Sequence, residues 1–524
     1  MPSESSAAWT QSSGDFGSLP ALLRTRSDQH PDRVCAVFDD SELTFGELES
    51  RSDRLGRGLV DRGVSEGDRV AVMLENSRHF VELFFATLRI GAVFVPINTA
   101  LQESDAKYVF QDADPSVTIV HPDCIDIYRS FADDFDVTAS LSVGDRADEA
   151  GFESLADLPA GGDLREATAS RADLASLVYT SGSTGMPKGV RLPHGAYLTV
   201  AADLSERTIQ PGDGDVLYIS QPLYHIFAQI VTVEALYAGV SVVLRRKFSI
   251  SSFWDRVREA EATIVHLAPS LASVVLEETT AERNPVRIAY GVGPDIHEDF
   301  AEAFDCTPVP LYGLTETCGL ALTGTADEPC PGSVGTSPDH LQVRIVNEDD
   351  GPLPPNEEGE IVLRPTRPHA IFQGYHNKAD VTVETVRNLW FHTGDIGYRD
   401  EEGRYHFVSR KSHFARVMGE NVSMHEIERT VDDCAPVSEA VAVPVDAGSK
   451  GEEILLAVRL RDDSDAEPED IVRYCADRLA HFKCPRYVRF VDSFPRTETK
   501  SNVERFELAD TERAWDRKTA DVDL

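Results

Sequence analysis

The sequence predicts an α/β protein. It should have a large N-terminal domain of two helix-covered sheets plus a β-rich subdomain, and a small C-terminal α+β domain. Three observations predict this: the chain length, the alternation of apolar runs with helical periodicity, and a change of amino-acid composition toward the C-terminus. The chain has 524 residues, more than one core usually organises, so two or more domains are expected. Its hydrophobic content of 41% and charged content of 27% are typical of globular proteins.

Strand-like and helix-like segments alternate from residue 68 onward. Helical periodicity is clearest over 78–90 and recurs between most of the apolar runs. Strands are predicted at 69–74, 92–96, 174–180, 216–220, 240–244, 263–267 and 286–291. This alternation favours parallel sheets that are covered by helices.

Glycine and proline become frequent after about Cys330, where short β-like runs follow. These runs, at 343–346, 360–363 and 405–408, predict a β-rich subdomain that closes the large domain. We place the domain boundary so that the domains are 1–409 and 410–524.

The second domain has its own helix and strand signals. Ser423 followed by Glu426 predicts a capping box for a helix that runs to about Asp433. Strands are predicted at 439–443, 454–460 and 487–491, and a second helix at 469–479. A segment of this length suffices for an independent domain.

The charge balance is strongly acidic. The chain has 89 Asp and Glu against 50 Lys and Arg, which gives a formal net charge of -39. Such a surface repels nucleic acid and anionic membranes. It is also typical of proteins that work in concentrated salt, where screening relieves the self-repulsion. An ordinary acidic protein is the alternative, and we favour salt adaptation.

Cysteine usage and hydropathy indicate a cytoplasmic protein. The eight Cys are scattered without a CxxC pair or zinc spacing, so free thiols in a reducing compartment are expected. The N-terminus lacks a basic-plus-apolar signal region. The most apolar stretch, 217–244, is interrupted by polar residues and is interpreted as buried core, not as a membrane span.

The strongest local signal is the segment YTSGSTGMPKGV at 179–190. We interpret it as a strand that runs into a loop of glycines and hydroxyls ending in Lys188. Glycines let the backbone approach a phosphate closely, and successive N–H groups can form an anion-binding nest. The spacing is not that of a Walker motif. The predicted phosphate-binding residues are Thr180, Ser181, Gly182, Ser183, Thr184, Gly185 and Lys188.

Four further motifs follow along the chain. PLYHIF contains His225, which as a lone histidine in an apolar segment could also be a core residue. YGLTET at 312–317, preceded by YGVGP at 290–294, supplies an aromatic ring, hydroxyls and a carboxylate after an apolar strand. FHTGDIG contains Asp395, whose carboxylate can accept hydrogen bonds from both hydroxyls of a ribose; a turn residue is the alternative. GENVS at 419–423 opens the capped helix.

These motifs, in this order, resemble those of the adenylate-forming enzymes, which comprise acyl-CoA synthetases, nonribosomal peptide adenylation domains and luciferases. The likeness covers nearly the whole chain, roughly from Leu43 to Leu508. The wording GENVS is most similar to the branch of crotonobetaine/carnitine-CoA ligases and related acyl-CoA ligases. The resemblance implies ATP, Mg²⁺ and coenzyme A as cofactor and co-substrates, and a role in fatty acid metabolism.

The resemblance also implies roles for individual residues. Tyr312 would stack on adenine, next to Gly313, and Thr315 would contact phosphate. Glu316 would hold Mg²⁺, which prefers oxygen ligands and phosphate co-ligands. Thr184 would act with Glu316 in the catalytic set.

Other implied roles concern the acid, the ribose and coenzyme A. His225 would lie beside the acyl pocket and shift between reaction steps, while Gly291 and Gly293 would leave room for the nucleotide and acyl group. Asp395 and Arg410 would lie near the ribose. Gly419 would lie beside the pantetheine tunnel. Candidate pocket residues are His225, Gln229, Val231, Gly291 and Cys318.

One departure from the family concerns the adenylation lysine near the C-terminus. The segment at 495–505 is PRTETKSNVER. When the segment is aligned on Val503, Asn502 occupies the position of the family's lysine. When it is aligned on Pro495, Ser501 occupies that position. Lys500 is one or two residues away and is our candidate, because a lysine side chain can still reach the phosphate.

The predicted function is an acid:CoA ligase that forms an acyl-adenylate and then a thioester. The expected partner is a small carboxylic acid, with neither nucleic acid nor a membrane span, and a homodimer is left open. Three alternatives stay open: an adenylation enzyme that loads a carrier protein, a light-producing oxygenase, and a nucleotide-binding pseudoenzyme suggested by the displaced lysine.

Overall fold

The computed structural model describes residues 16–39, 41–101, 103–144, 152–158, 167–182, 185–278, 284–410, 414–417, 420–446, 452–461, 464–479, 481–496, 503, 505–511 and 513–520. The chain divides into two units. The first contains Met1–Glu357, Val362–Thr393 and Tyr398–His406. The second contains Glu358–Ile361, Gly394–Gly397 and Phe407–Leu524.

The strands from residue 34 to residue 323 form two large sheets and a short hairpin. In chain order these strands are β1 (Val34–Val37), β2 (Glu42–Thr44), β3 (Arg69–Met73), β4 (Val93–Pro96), β5 (Val117–Val120), β6 (Ala139–Ser142), β7 (Glu153–Ser154), β8 (Leu174–Gly182), β9 (Gly185–Pro193), β10 (Val216–Ile219), β11 (Ser241–Leu244), β12 (Ile264–His266), β13 (Ile288–Tyr290), β14 (Thr307–Val309), β15 (Leu311–Tyr312) and β16 (Leu322–Thr323).

Helices connect most of these strands. They are Leu19–Gln29, Phe45–Asp61, Arg78–Arg89, Glu103–Ala113, Ile125–Arg129, His194–Asp203, Ile226–Ala238, Phe253–Glu259, Pro269–Glu278, His297–Phe304 and Ala379–Thr385. Local chemistry sets their ends. Thr44 and Glu47 form a reciprocal capping box at 3.1 Å each way, and Gly239, with a φ of 74°, ends the helix Ile226–Ala238.

The two large sheets have seven strands each. One has the order β14-β13-β12-β10-β11-β1-β2 and the other β7-β6-β5-β3-β4-β8-β9. Pairing is parallel except at one edge of each sheet, where β2 and β9 run antiparallel to their neighbours. In the first sheet Ile219 pairs with His266, and His266 pairs with Tyr290. This register brings the carboxyl ends of β10, β12 and β13 together, which is where open α/β sheets bind ligands.

The predicted β-rich region is a third sheet. It contains β17 (Leu341–Val346), β18 (Gly359–Pro365), β19 (Val386–Arg387), β20 (Trp390–Arg399) and β21 (Tyr405–Arg410). The order is β17-β18-β20-β19, with β21 beside β20.

The rest of the second unit is α+β. A two-stranded sheet of β22 (Phe414–Val417) and β23 (Glu420–Ser423) leads into the helix Met424–Asp432. A four-stranded sheet follows in the order β24-β25-β26-β27, formed by β24 (Val437–Asp446), β25 (Glu452–Leu460), β26 (Tyr487–Phe490) and β27 (Trp515–Asp516). With the helix Pro468–Ala476 they enclose an aliphatic core that includes Ile427, Leu456 and Ile471.

The predicted fold class is confirmed. The main difference lies in the glycine-rich segment, which was interpreted as a loop over 181–188. In the structure β8 continues to Gly182 and β9 begins at Gly185, with Thr180 opposite Lys188. Glycine and serine usually signal loops, but here antiparallel pairing with β9 extends the strand. Among the described residues, none of the helices is long and apolar enough to cross a membrane.

Candidate active site

The glycine-rich hairpin of β8 and β9 is anchored at its base. The hydroxyl of Tyr179 donates a 2.7 Å hydrogen bond to Oδ2 of Asp112. Gly189 lies opposite Tyr179, and a Cβ on Gly189 would come within 3.0 Å of the phenol ring. Packing of this ring therefore explains the glycine beside Lys188.

A further extended segment runs along the outer edge of β9. The N–H of Gln373 donates to the carbonyl of Arg191 at 2.8 Å, and the N–H of Arg191 donates to the carbonyl of Gly374 at 3.1 Å. Val190 and Tyr375 pair as an antiparallel bridge. Gly374 has a φ of 100°, a left-handed conformation that glycine adopts without strain. This pairing places Tyr375 next to the hairpin.

Tyr375 links the hairpin to the carboxylate of the YGLTET motif. Its hydroxyl donates a 2.7 Å hydrogen bond to Oε1 of Glu316, and Nζ of Lys188 lies 5.2 Å from the centre of its ring. The N–H of Phe372 also donates to the carbonyl of Glu316 at 2.9 Å. Burial, reinforced by the Glu316 charge, raises the pKa of Tyr375, so the phenol stays a donor. Lys188 and Glu316, from two motifs far apart in sequence, thus meet at one ring.

The turn that carries Glu316 is locked by its own residues. The N–H of Leu314 donates to Oγ1 of Thr317 at 3.1 Å, and the hydroxyl of Thr317 donates back to the carbonyl of Leu314 at 3.0 Å. A Cβ on Gly313 would come within 2.0 Å of the carbonyl oxygen of Gly319. Gly313 is therefore required by this close backbone approach, and the turn directs Glu316 inward, where it is 9% exposed.

Tyr312 and Thr315 flank Glu316 at the same turn. Both side chains are half-buried, Tyr312 at the end of β15 and Thr315 at the start of the turn. They are accessible to a ligand while Thr317 is fully buried. Thr317 belongs to the same motif and serves the turn itself.

His225 lies on the loop that leads into the helix Ile226–Ala238. Its ring is half-buried and packs edge-on against Tyr224, with ring centres 4.6 Å apart. The loop is pinned by Asn76, whose side chain donates to the carbonyl of Gln221 at 3.0 Å and accepts from the N–H of Leu223 at 2.6 Å. The position of His225 does not match the alternative of an enclosed core histidine.

Three candidate pocket residues are buried: Gln229, Val231 and Cys318. The Gln229 amide donates to the carbonyl of Leu223 at 2.9 Å and accepts from the hydroxyl of Tyr197 at 2.7 Å. Cys318 is fully enclosed, and burial raises the pKa of its thiol. Val231 is fully buried too.

The two glycines of YGVGP differ. Gly291 has a φ of 89°, and a Cβ there would come within 2.0 Å of the carbonyl oxygen of Leu267. The protein backbone alone thus requires this glycine, whatever ligand binds. A Cβ on Gly293 would meet only Pro269, at 3.9 Å, so Gly293 leaves space beside it.

Asp395 lies inside β20 and is 1% exposed. It is therefore a strand residue, not a turn residue. The preceding Gly394 has a φ of 72° and donates its N–H to Oε1 of Glu360 at 3.1 Å. Arg410 is the last residue of β21, and its side chain lies outside the described part of the structure, as do the side chains of Ser181 and the residues Ser183, Thr184, Gly419 and Lys500.

The residues around the Lys500 segment are held by acidic partners. Arg496 and Val503 pair as an antiparallel bridge. Arg496 bonds to Glu439. Arg505 bonds to both carboxylate oxygens of Glu428, one at 3.0 Å, and to the carbonyl of Ala442 at 2.7 Å. Both arginines are thus engaged within the second unit.

A divalent cation would find a single fixed carboxylate here. Within the described ranges no three His, Cys, Asp or Glu side chains cluster as a metal site. Mg²⁺ commonly binds through one or two carboxylates together with phosphate oxygens of the substrate. Glu316, held in place by Tyr375, fits that donor set.

Comparison with known proteins defines the class. The model of the AMP-binding enzyme family matches residues 23–376, and that of the AMP-binding enzyme C-terminal domain matches residues 426–500. The chain therefore belongs to the AMP-binding enzyme family, as predicted.

Among relatives, the chain is 30% identical to a sulfoacetate–CoA ligase of Cupriavidus necator, over 94% of this chain and 97% of that one. It is 28% identical to a crotonobetaine/carnitine–CoA ligase of Salmonella heidelberg, over 89% and 94%.

Solved structures agree on the fold. The ATP-bound MatB from Rhodopseudomonas palustris superimposes with a TM-score of 0.81 at 26% identity and covers 95% of this chain and 99% of its own. The O-succinylbenzoate coenzyme A synthetase of Bacillus subtilis, in complex with AMP, gives 0.80 at 24% identity over 94% and 99%. The likeness to this synthetase concerns the fold alone.

Proposed function

We propose that this protein is an AMP-forming acid:CoA ligase. It would convert a carboxylic acid and Mg·ATP into an acyl-adenylate and pyrophosphate, and then pass the acyl group to coenzyme A. The observation that carries the proposal is the meeting of Lys188 and Glu316 at Tyr375. One group is a cation on a glycine-rich hairpin, and the other is a carboxylate suited to a metal that binds phosphate.

ATP would bind along this line of groups. Lys188 supplies positive charge for the phosphates, and the hairpin backbone with Ser181, Ser183 and Thr184 supplies further donors. Tyr312 and Thr315, half-buried at the neighbouring turn, would contact adenine and phosphate. Asp395 would accept hydrogen bonds from the ribose, near Arg410.

Catalysis would depend on position and charge more than on covalent chemistry. Glu316 would hold Mg²⁺, which when bound neutralises charge on the phosphate oxygens. The acid's carboxylate attacks the α-phosphorus in line with departing pyrophosphate, and the protein holds both groups in place. Lys500 would add a cation where carboxylate and phosphate approach.

Coenzyme A would accept the acyl group in the second step, beside His225 and Gly419. Relatives that match almost the whole chain are CoA ligases, which favours coenzyme A over a carrier protein. We propose that the second domain reorients between the steps, with a hinge near Arg410. Such a movement would also keep water from the reactive adenylate.

Further proposals concern the setting of the enzyme. We propose that it works in the cytoplasm, and that its net charge of -39 reflects adaptation to concentrated salt. A role in fatty acid metabolism is proposed on the resemblance alone.

The test is acid-dependent ATP–pyrophosphate exchange with Mg²⁺, followed by acyl-CoA formation. The acid panel should include sulfoacetate, crotonobetaine and carnitine. Exchange without coenzyme A, together with thioester formation when it is added, supports the ligase. Exchange with no thioester would favour carrier loading. Tight ATP binding without exchange for any acid would favour the pseudoenzyme.

A further inference from the structure

A buried polar group lies behind the loop of His225, at the carboxyl ends of β12 and β13. It consists of Glu234 on the helix Ile226–Ala238, His266 at the end of β12 and Tyr290 at the end of β13. All three side chains are 0% exposed. The rings of His266 and Tyr290 lie edge to face with centres 5.2 Å apart.

Glu234 and His266 do not satisfy each other. Nε2 of His266 lies 3.4 Å from Oε2 of Glu234. Among the described residues, neither oxygen of Glu234 and neither ring nitrogen of His266 has a hydrogen-bond partner. Buried polar groups are normally hydrogen-bonded, and each exception needs an explanation. Unsatisfied groups at the carboxyl ends of parallel strands are where a ligand would be expected.

One half-buried ring, that of Phe227, connects this group to the loop of His225. Its centre lies 6.0 Å from that of Tyr290 and 5.9 Å from that of His266. Glu234 is seven residues further along the same helix, about two turns, and therefore lies on the same face as Phe227. A Cβ on Gly319 would be 3.5 Å from Ile230 and 3.8 Å from Phe227, so this glycine lies beside the ring.

The charge of Glu234 and His266 limits which chemical groups of a ligand can bind there. Burial raises the pKa of Glu234 and lowers the pKa of His266 to about 3, so burial favours the neutral form of both groups. A neutral carboxyl and imidazole can exchange hydrogen bonds with a hydroxyl, and Glu234 can ionise to pair with a cation. Burial is the one cause that shifts the pKa of Glu234 and of His266, and Arg207, the cation that acts on Tyr290, is paired with Asp203. A buried anion would therefore gain no unpaired cation among the described residues, and burying an unpaired charge is costly.

We propose that Glu234 and His266 form the far end of the acyl pocket, and that the acid substrate carries a hydroxyl or amine at the end remote from its carboxylate. This inference rests on the proposed function. It names the substrate class of that site: ω-hydroxy and ω-amino acids, in preference to plain alkyl acids and dicarboxylates.

The test compares these four acid classes at matched chain lengths by pyrophosphate exchange. The wild type should prefer the hydroxyl- or amine-bearing acid about ten- to a hundredfold in kcat/KM. Glu234→Leu should abolish both preferences, whereas Glu234→Gln, which cannot ionise, should lose the preference for amines only. Because Glu234 has no hydrogen-bond partner among the described residues, its replacement should not lower the melting temperature.

Thr232→Val is the matched control. Thr232 is buried on the opposite side of the same helix and donates to the carbonyl of Ala228 at 2.9 Å, so the ranking of acids should not change. A wild-type preference for alkyl acids or dicarboxylates would overturn the inference, as would an unchanged ranking in Glu234→Leu. Absence of exchange with every acid would instead overturn the ligase assignment, and the inference with it.

Discussion

Two regions of the molecule are assigned to the same reaction, and they differ in how the positively charged side chains described there are held. In the first, Lys188 lies against the ring of Tyr375, whose hydroxyl orients Glu316. In the second, the arginines beside 497–502 are bound by acidic side chains: Arg496 by Glu439 and Arg505 by Glu428. In the first region the lysine lies against an aromatic ring, while in the second the arginines hold the chain.

This difference helps to identify the residue that supplies positive charge during adenylate formation. An arginine whose guanidinium bonds both oxygens of one carboxylate cannot also neutralise a phosphate without breaking those bonds. Arg505 is held in this way. Lys500, which lies between the paired residues Arg496 and Val503, therefore remains our candidate.

The largest expected effect is in the first region. Glu316→Gln keeps the side-chain shape but removes the charge that would hold Mg²⁺, so pyrophosphate exchange should fall about 10²- to 10³-fold. The measurement is exchange at saturating ATP and acid. Exchange at the wild-type rate would show that the metal site lies elsewhere.

The second prediction concerns the other region. Lys500→Ala should slow adenylate formation about a hundredfold, because the lost contact is made mainly in the transition state. Thioester formation from pre-made acyl-adenylate should be nearly unchanged. Single-turnover assays of the two half-reactions separate these outcomes.

Arg505→Ala is the control for that experiment. It leaves the buried Glu428 without its cation, so it should destabilise the fold by about 1–3 kcal/mol while the adenylation rate per folded molecule stays high. Full adenylation in Lys500→Ala together with a loss in Arg505→Ala would reverse the assignment.

The sequence predicted the fold class and the presence of both regions, but not their contacts. The motif around Glu316 was identifiable because its residues are contiguous. Tyr375 was missed, since it lies some sixty residues further on and joins the site through the pairing of its segment with β9. The one local signal was the preceding Gly374, with its left-handed backbone.

The sequence also did not show the structural roles of two predicted site residues. Gly291 was interpreted as leaving room for a ligand, yet the carbonyl of Leu267 already excludes a side chain there. Similarly, Gln229 was a pocket candidate, whereas its amide holds the carbonyl of Leu223. Leu267 and Tyr197, the other partner of Gln229, are distant in the chain from the residues they contact, and only the packed structure reveals them.

A smaller effect should come from the residue that joins Lys188 to Glu316. Tyr375→Phe keeps the ring but removes the hydrogen bond to the carboxylate, so exchange should fall about tenfold. The loss should shrink as the Mg²⁺ concentration rises. Tyr405→Phe, which removes a comparable buried 2.8 Å bond to the carbonyl of Val343, should not change the Mg²⁺ dependence. Equal behaviour of the two variants would argue against a positioning role for Tyr375.

The smallest effect on the chemistry, and one that should act on both regions alike, is that of salt. A net charge of -39 makes the folded chain repel itself, and the Debye length falls from about 10 Å at 0.1 M salt to about 3 Å at 1 M. Salt also screens favourable pairs, but exposed ones such as Arg473–Glu469 contribute only about 0.3–0.5 kcal/mol each.

Relief of repulsion should therefore dominate, and the melting temperature should rise with KCl. Most of the rise should occur below about 0.5 M, where the Debye length changes most, and this distinguishes screening from the general salting-out effect of higher concentrations. The measurement is thermal unfolding across a KCl series, with sucrose as an uncharged control. A flat profile in KCl would remove the proposal of salt adaptation. It would leave the enzyme assignment intact, because that assignment is argued from the contacts of Lys188, Tyr375 and Glu316 and not from the net charge.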